Sequence, residues 1–170
     1  KRQVIGHEIS HGFDDSGSQY DKDGYLRNWW TENDRKKFVA LADRLVEQYN
    51  NYTVLDTLHV NGRLTLGENI GDLGGLNAAY TAFKMTPQGK SNEKIDGFTP
   101  DQRFFLAWAQ VWRTNILPEA AAQQVLVDPH SPGEWRTIGP LINMDAWYQA
   151  FDVKPGDKLY VAPEKRIYLW

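Results

Sequence analysis

The sequence lacks several features that would each point to a particular class of protein. It contains no cysteine, which excludes disulfide bonds but leaves the compartment open, because many secreted bacterial proteins also lack cysteine. Its formal net charge of −3 provides no basic surface field, so nucleic acid is not expected as a partner. No apolar run approaches the length of a membrane span, so no such span is expected within this sequence.

Histidine is also scarce, yet two of the four histidines fall in one short motif. The motif reads His7-Glu8-Ile9-Ser10-His11. Positions i and i+4 of a helix share one face, so both imidazoles can bind the same metal ion. Glu8 lies about 100° further around the helix, which places its carboxylate beside the metal without making it a ligand. The spacing therefore predicts a zinc site with a neighbouring general base.

The remaining pattern predicts one domain, or most of one, that is mainly α with small β ribbons. A chain of 170 residues with 41% apolar and 24% charged residues is typical of a globular protein. Thr31 and Asp34 resemble a capping box, and the pair Asn61-Gly62 predicts the turn of a β-hairpin within residues 52–66. Residues 86–100 are expected to form an exposed loop, and several prolines and glycines lie between Pro129 and Pro140. Helices are predicted at 1–12, 31–50, 68–85, 101–116, 119–127 and 142–151.

Two histidines do not complete a catalytic zinc site, which usually has three protein ligands and one open position. The sequence has no cysteine to offer and lacks the more distant third histidine of the metzincin pattern. A carboxylate pair can supply the third ligand, because Glu68 and Asp72 stand four residues apart and share one helix face. One carboxylate can bind zinc while the other accepts a hydrogen bond from a ligand imidazole.

Three ordered blocks of the sequence resemble the neprilysin family of zinc metalloendopeptidases. They are HEISHGFDD from His7, ENIGD from Glu68, and DPHSPGEWR from Asp128. The resemblance covers essentially the whole chain and is strongest to the bacterial oligopeptidases, since the animal enzymes carry cysteines. It implies that residues 1–170 form the C-terminal catalytic subdomain of a thermolysin-like zincin. The family's substrate-binding edge strand and helical cap would then lie upstream of this sequence.

The resemblance implies roles in the chemistry for five residues. His7, His11 and Glu68 would bind one Zn²⁺ per chain. Glu8 would be the general base that deprotonates zinc-bound water and later protonates the leaving amine. Asp72 would orient the imidazole of His7, although this residue is also described in the family as a proton donor.

Four further residues would contact the substrate in such an enzyme. His130 would stabilise the oxyanion of the tetrahedral intermediate, a role worth roughly 3–4 kcal/mol in comparable sites. Arg136 would hold a backbone carbonyl of the substrate with its forked donors. Val4 and Trp112 match positions that line the pocket for a large apolar side chain after the scissile bond, with core packing as an equal alternative.

These residues together predict a zinc-dependent metalloendopeptidase that cleaves internal bonds of oligopeptides before hydrophobic residues. The alternative is a truncated zinc-binding module with little activity, because remote substrate contacts support turnover and half of the cleft would lie upstream. A purely structural zinc is disfavoured, since three ligands leave an open position. The expected partners are oligopeptide substrates and the N-terminal part of the same enzyme. The periplasm, the cell envelope or the medium of a bacterium is favoured as the compartment, with the cytoplasm as the alternative.

Overall fold

A computed structural model describes residues 2–169, so Lys1 and the predicted final residue of the extended C-terminal segment, Trp170, lie outside the described residues. Within this range the chain forms eight α-helices and one antiparallel ribbon, which confirms the mainly α prediction. None of these helices is both long and apolar enough to cross a membrane. The elements are α1 (Arg2–Ser10), α2 (Glu32–Asn50), β1 (Thr53–Leu55), β2 (Leu58–His59), α3 (Leu66–Lys84), α4 (Pro87–Lys90), α5 (Pro100–Val111), α6 (Pro118–Val127), α7 (Gly133–Leu141) and α8 (Asp145–Phe151).

Helix α3 lies at the centre of the fold. Apolar side chains surround it on several sides, which is typical of a helix that is covered by neighbours. Leu66, Ile70 and Leu73 pack with α2 in one core cluster, whereas Leu76 packs with α5 and α8 in a second. Since α3 contributes to both clusters, its carboxylates are held by a rigid element.

Helix α1 packs directly against α3, with their backbones in close approach. A Cβ atom on Gly6 would lie 2.9 Å from Cα of Gly75, and one on Gly75 would lie 2.5 Å from the backbone nitrogen of His7. Such distances are too short for any residue with a side chain, so this crossing requires glycine. The predicted metal-binding motif of α1 is thereby held against the first half of α3.

Helix α2 begins and ends as predicted. Oγ1 of Thr31 accepts a hydrogen bond from the backbone N–H of Asp34 at 3.1 Å, and it donates to that residue's carboxylate at 2.7 Å. Phe38, Leu45 and Val46 are buried on the stripe that faces the core. The sequence signals for this helix are therefore confirmed.

The predicted position of the hairpin turn is wrong. Leu55 pairs with Leu58, so the turn lies between these residues, where Asp56 adopts a left-handed φ of 42°. The Asn61-Gly62 pair begins the turn that leads into α3. Oδ1 of Asn61 accepts hydrogen bonds from two backbone N–H groups that follow it, at 3.2 and 3.1 Å. The asparagine thus organises the start of a helix rather than the end of a strand.

The segment between Pro129 and Pro140 contains a helix that its prolines and glycines did not predict. Helix α7 forms there, with Pro132 at the N-cap and Pro140 in its last turn. Proline is tolerated at the start of a helix, because the first N–H groups have no partner within the helix. Two smaller predictions also need correction: the short helix α4 lies inside the expected loop 86–100, and α5 ends at Val111 rather than near 116.

Candidate metal centre and active site

The two histidines of the motif converge on Glu68. His7 lies in α1 and His11 begins the 3₁₀ turn that follows it, and their rings meet edge to face with centroids 4.7 Å apart. Nε2 of His7 is 3.2 Å from Oε2 of Glu68, and Nε2 of His11 is 3.6 Å from Oε1. The three side chains each offer one ligand atom, and these atoms lie within 4.8 Å of one another.

The spacing of these side chains is compatible with a zinc ion. Ligand bonds of roughly 2.0–2.2 Å at tetrahedral angles place neighbouring ligand atoms about 3.3–3.6 Å apart. The two histidines lie at 3.2 and 3.6 Å from the two different oxygens of Glu68, close to this range. Oε2 of Glu68 is buried and accepts no hydrogen bond from any residue in the described range. Two imidazoles and one carboxylate are a common donor set for catalytic zinc and leave one position open.

The carboxylates around His7 favour the protonated form of its imidazole. The carboxylate of Asp72, followed by that of Glu68, raises the pKa of His7 to about 9, although burial acts in the opposite direction. Burial alone would raise the pKa of Glu68, but His7, His130 and His11 together lower it. A ligand imidazole must be neutral, so a metal ion bound at Nε2 of His7 would have to displace this proton.

Each of the two candidate metal-binding histidines has a carboxylate at its other ring nitrogen. Oδ1 of Asp72 lies 2.9 Å from Nδ1 of His7, and Oδ2 of Asp14 lies 2.8 Å from Nδ1 of His11. Such partners fix the orientation of a ligand imidazole and raise its basicity. Asp72 was predicted in this position and Asp14 was not. The signal for Asp14 is the general expectation that every ligand histidine has such a partner.

His130 lies in the loop before α7 and points toward the same cluster. Its Nε2 is 3.2 Å from Oε2 of Glu68. Its backbone N–H and its ring Nδ1 both contact Oδ1 of Asp128, at 2.8 and 2.7 Å. These contacts, with the backbone N–H first, lower the pKa of Asp128. Asp128 is a second site residue that was not predicted from the sequence.

Arg136 reaches the site from α7, but it is bound first to another site residue. Nε and Nη2 donate to the two carboxylate oxygens of Asp72 at 2.7 and 2.8 Å. The guanidinium also lies 3.9 Å from the centre of the Trp112 ring, as in a cation–π contact. Burial would lower the pKa of Arg136, yet the hydrogen bonds and charge of Asp72 raise it. The link between Arg136 and Asp72 was not predicted.

Comparison with known proteins identifies the family. The model of peptidase family M13 matches residues 2–167. This chain belongs to peptidase family M13. It is 45% identical over 172 residues to neprilysin-11 of Caenorhabditis elegans, in an alignment that covers 98% of the chain and 20% of the relative.

Two solved structures share its fold. The M13 chain matches Mycobacterium tuberculosis zinc metalloprotease Zmp1, in complex with inhibitor, with a TM-score of 0.94 and 49% identity over 99% of the chain and 26% of that protein. It matches PepO from Lactobacillus rhamnosis with a TM-score of 0.86 and 37% identity, over 98% of the chain and 25% of PepO. The predicted family and fold class are therefore confirmed. The chain spans only about a fifth of the length of the curated relative and about a quarter of these structures.

A cavity of about 180 Å³ opens beside the candidate metal cluster of this M13 chain, which consists of His7, His11 and Glu68. Val4 and Trp112, the two predicted pocket residues, contribute to its wall, as do Trp108 and Val111, which were not predicted. The polar part of the lining consists of Gln3, His7, Glu8, Asp72, His130 and Arg136. The structure thus brings together all the predicted site residues, either around this cavity or, for His11 and Glu68, at the adjoining metal cluster. His59 is exposed in β2.

Proposed function

We propose that this chain carries the catalytic centre of a zinc metalloendopeptidase that hydrolyses internal bonds of oligopeptides. One observation supports the proposal most directly. Glu8 and a cavity with apolar walls lie beside His7, His11 and Glu68, whose ligand atoms are close enough together to bind one zinc ion. A structural zinc site would have four protein ligands and no adjoining cavity. Membership of family M13 supports zinc as the metal.

In this proposal His7, His11 and Glu68 hold the metal, and Glu8 handles protons. Zinc, when bound, supplies a Lewis acid that polarises the substrate carbonyl and increases the acidity of water. Glu8 takes the proton from the attacking water and passes it to the leaving amine, because its carboxylate borders the cavity in which the substrate would lie. Asp72 and Asp14 keep the two ligand imidazoles in the tautomer that presents Nε2 to the metal.

His130 stabilises the negative charge that develops on the substrate carbonyl oxygen. Its Nε2 lies 3.2 Å from Oε2 of Glu68, the residue borders the cavity, and Asp128 fixes the orientation of the ring through its contact with Nδ1. Removing one such donor typically lowers kcat by about 100- to 1,000-fold. Asp128 acts through His130 and does not touch the substrate.

Arg136 binds a backbone carbonyl of the substrate. Within the described range its hydrogen bonds use Nε and Nη2, both directed to Asp72, so the N–H groups of Nη1 remain for a substrate. Arg136 borders the cavity together with Trp112. Its pairing with Asp72 fixes the guanidinium, so little side-chain entropy is lost when a carbonyl binds.

The apolar wall of the cavity favours a hydrophobic residue on the C-terminal side of the cleaved bond. The volume of 180 Å³ corresponds to about six water molecules at roughly 30 Å³ each. The cavity can therefore hold one large side chain. Val4, Trp108, Val111 and Trp112 present apolar groups to it. Burying such a side chain contributes about 1.5–3 kcal/mol.

The second candidate function is a zinc-binding module with little activity of its own. It is favoured by the outer face of α1, where Ile5 and Ile9 are 61% and 64% exposed. An apolar helix face of this kind is suited to contact with further protein, and the relatives are four to five times longer than the chain. In this case the N-terminal part of the enzyme would complete the cleft.

The compartment of the protein is a separate prediction. We expect an extracytoplasmic location, which cell fractionation tests.

The decisive experiment compares wild type with Glu8→Gln in zinc content and in cleavage of a quenched peptide with a hydrophobic residue after the scissile bond. We expect equal zinc in both proteins and cleavage by the wild type alone. Glu93→Gln, in the exposed segment before α5, is the matched control and should cleave normally. Cleavage that survives a chelator, or full activity of Glu8→Gln, would refute the mechanism. Zinc binding without cleavage by the wild type would favour the module.

A further inference from the structure

A chain of buried hydrogen bonds connects the loop of His130 with helix α3. Oγ of Ser131 donates to Oδ1 of Asn69 at 2.8 Å, and Nδ2 of Asn69 donates to Oγ1 of Thr65 at 2.9 Å. Oγ1 of Thr65 donates in turn to the carbonyl oxygen of Asn61 at 3.0 Å. Ser131 and Asn69 are each 1% exposed and Thr65 is 3% exposed. Water therefore does not compete for these groups.

The direction of each hydrogen bond in this chain follows from the one after it. The carbonyl oxygen of Asn61 can only accept, so the Thr65 hydroxyl donates to it and accepts from the amide of Asn69. The oxygen of that amide is then directed to Ser131. Every polar group is satisfied only while all members are present, and a buried group that loses its partner is costly.

The hydrogen bond from Ser131 to Asn69 joins two residues that each follow a site residue in the sequence. Ser131 follows His130 and Asn69 follows Glu68, while Nε2 of His130 lies 3.2 Å from Oε2 of Glu68. Asp128 fixes the His130 ring relative to its own loop. Ser131 fixes the loop relative to α3, and thus relative to the metal cluster.

We propose that Ser131 and Asn69 are positioning residues for His130, which act through the placement of its ring rather than by contact with the substrate. The inference rests on the proposed role of His130 as oxyanion donor. A displacement of about 1 Å at a reacting group can lower the rate on the order of 100-fold. An interaction made only in the transition state affects kcat rather than KM. Zinc affinity should be unaffected, because Ser131 contacts no metal ligand side chain.

The test measures kcat, KM and zinc content of the zinc-loaded protein with Ser131→Ala, with a quenched hydrophobic peptide as substrate. We expect kcat to fall roughly 10- to 100-fold with KM within about twofold of the wild type. The matched control is Thr137→Val, which also removes a hydroxyl. Oγ1 of Thr137 donates to the carbonyl of Gly133 within α7 at 2.9 Å, so its loss does not affect the contact between the His130 loop and α3. This variant should keep the kcat of the wild type.

A double-mutant cycle separates positioning from general weakening of the fold. If Ser131 acts through His130, Ser131→Ala has no further effect on kcat in the His130→Ala background, whereas a purely structural effect lowers both backgrounds by the same factor. Equal loss in both backgrounds, or a kcat of Ser131→Ala within twofold of the wild type, would overturn the inference.

Failure of the proposed function gives a different result. If the zinc-loaded wild type cleaves no peptide, the enzymatic proposal fails, and hydrogen exchange at the backbone amides of Asp128, His130 and Ser131 then tests the positioning. Ser131→Ala must accelerate exchange there and Thr137→Val must not. Exchange that Ser131→Ala leaves unchanged shows that the bond to Asn69 does not hold the loop.

Discussion

Asp72 and Arg136 form a buried ion pair with two hydrogen bonds, from Nε to Oδ2 at 2.7 Å and from Nη2 to Oδ1 at 2.8 Å. Only 1% of Asp72 and 8% of Arg136 is exposed. The same Oδ1 lies 2.9 Å from Nδ1 of His7. Asp72 therefore contacts both a buried cation and the imidazole that we propose as a metal ligand, and the consequences of these two contacts can be measured separately.

Asp72→Asn should lower both stability and zinc affinity. The amide keeps the shape of the carboxylate but leaves Glu68, 3.5 Å from Nη2, as the remaining counter-charge of the Arg136 guanidinium. Loss of the charged partner that holds two hydrogen bonds costs up to about 3–5 kcal/mol in the free energy of unfolding. Loss of the carboxylate behind His7 should weaken zinc binding by roughly 10- to 100-fold. Denaturant unfolding in the presence of a chelator measures the first effect, and competition with a chelator of known affinity measures the second.

The double variant Asp72→Asn/Arg136→Met serves as the control. Replacing both partners of a buried ion pair by uncharged groups is often neutral for stability. Most of the lost stability should therefore return, while zinc affinity stays low. Recovery of zinc affinity together with stability would contradict a direct role of Asp72 toward His7.

The part of the site that is local in sequence could be predicted. The pair His7 and His11 and the pair Glu68 and Asp72 are each spaced to share one helix face, so periodicity alone places their side chains together. The approach of α1 to α3 depends on tertiary packing, such as the contact of Gly6 with Gly75. Asp14 and Asp128 lie in loops without periodicity, so their contacts with histidines could not be read from spacing.

The fold could be predicted where amphipathic pattern and capping agreed, as in α2. The fold could not be predicted where the same residue type occurs in two kinds of local structure. Asn61-Gly62 is a common hairpin turn, but here it starts the turn into α3, while Asp56 takes the left-handed position in the hairpin. Pro132 and Pro140 suggested irregular structure, yet they occupy the N-cap and last turn of α7.

Glu68→Ala should abolish the stabilisation of the protein by zinc. A ligand at about 100 times its Kd stabilises the folded state by about 2.7 kcal/mol, and the wild type should show this difference between zinc and chelator in denaturant unfolding. Glu68→Ala should show none, because the cluster loses its third ligand atom. Glu8→Gln is the control and should keep the full difference. Unchanged zinc stoichiometry in Glu68→Ala would mean that another residue is the third ligand.

Asp14→Asn should weaken zinc binding although Asp14 is not itself a ligand. Oδ2 of Asp14 contacts Nδ1 of His11 at 2.8 Å, while Oδ1 accepts two backbone N–H groups of the following turn at 2.8 and 2.7 Å. An amide can replace only part of these contacts, and we expect roughly a 10-fold loss of affinity in chelator competition. The neighbouring Asp15→Asn is the matched control and should bind zinc as the wild type does. Equal losses in the two variants would point to a general effect of charge near the site.

Gly71→Ala should weaken zinc binding through the position of the His7 ring. A Cβ atom on Gly71 would lie 2.8 Å from Nδ1 and 2.9 Å from Cε1 of His7, so the imidazole must move away from α3 and from Asp72. Alanine has a higher helix propensity than glycine by about 1 kcal/mol, so any loss of affinity would not come from a weaker helix. We expect roughly a 10-fold higher Kd for zinc, by analogy with the loss of a carboxylate partner.

The control for Gly71→Ala is Gly12→Ala, beside the other ligand histidine, where an added Cβ meets nothing within 4 Å. This variant should bind zinc with the affinity of the wild type, because its methyl group displaces no ring. The two Kd values, measured by chelator competition at the same pH, isolate the steric effect from the Gly-to-Ala change itself. A Gly71→Ala protein with wild-type affinity would show that the His7 ring can shift without losing its alignment to the metal, and the close contact would then have no functional consequence.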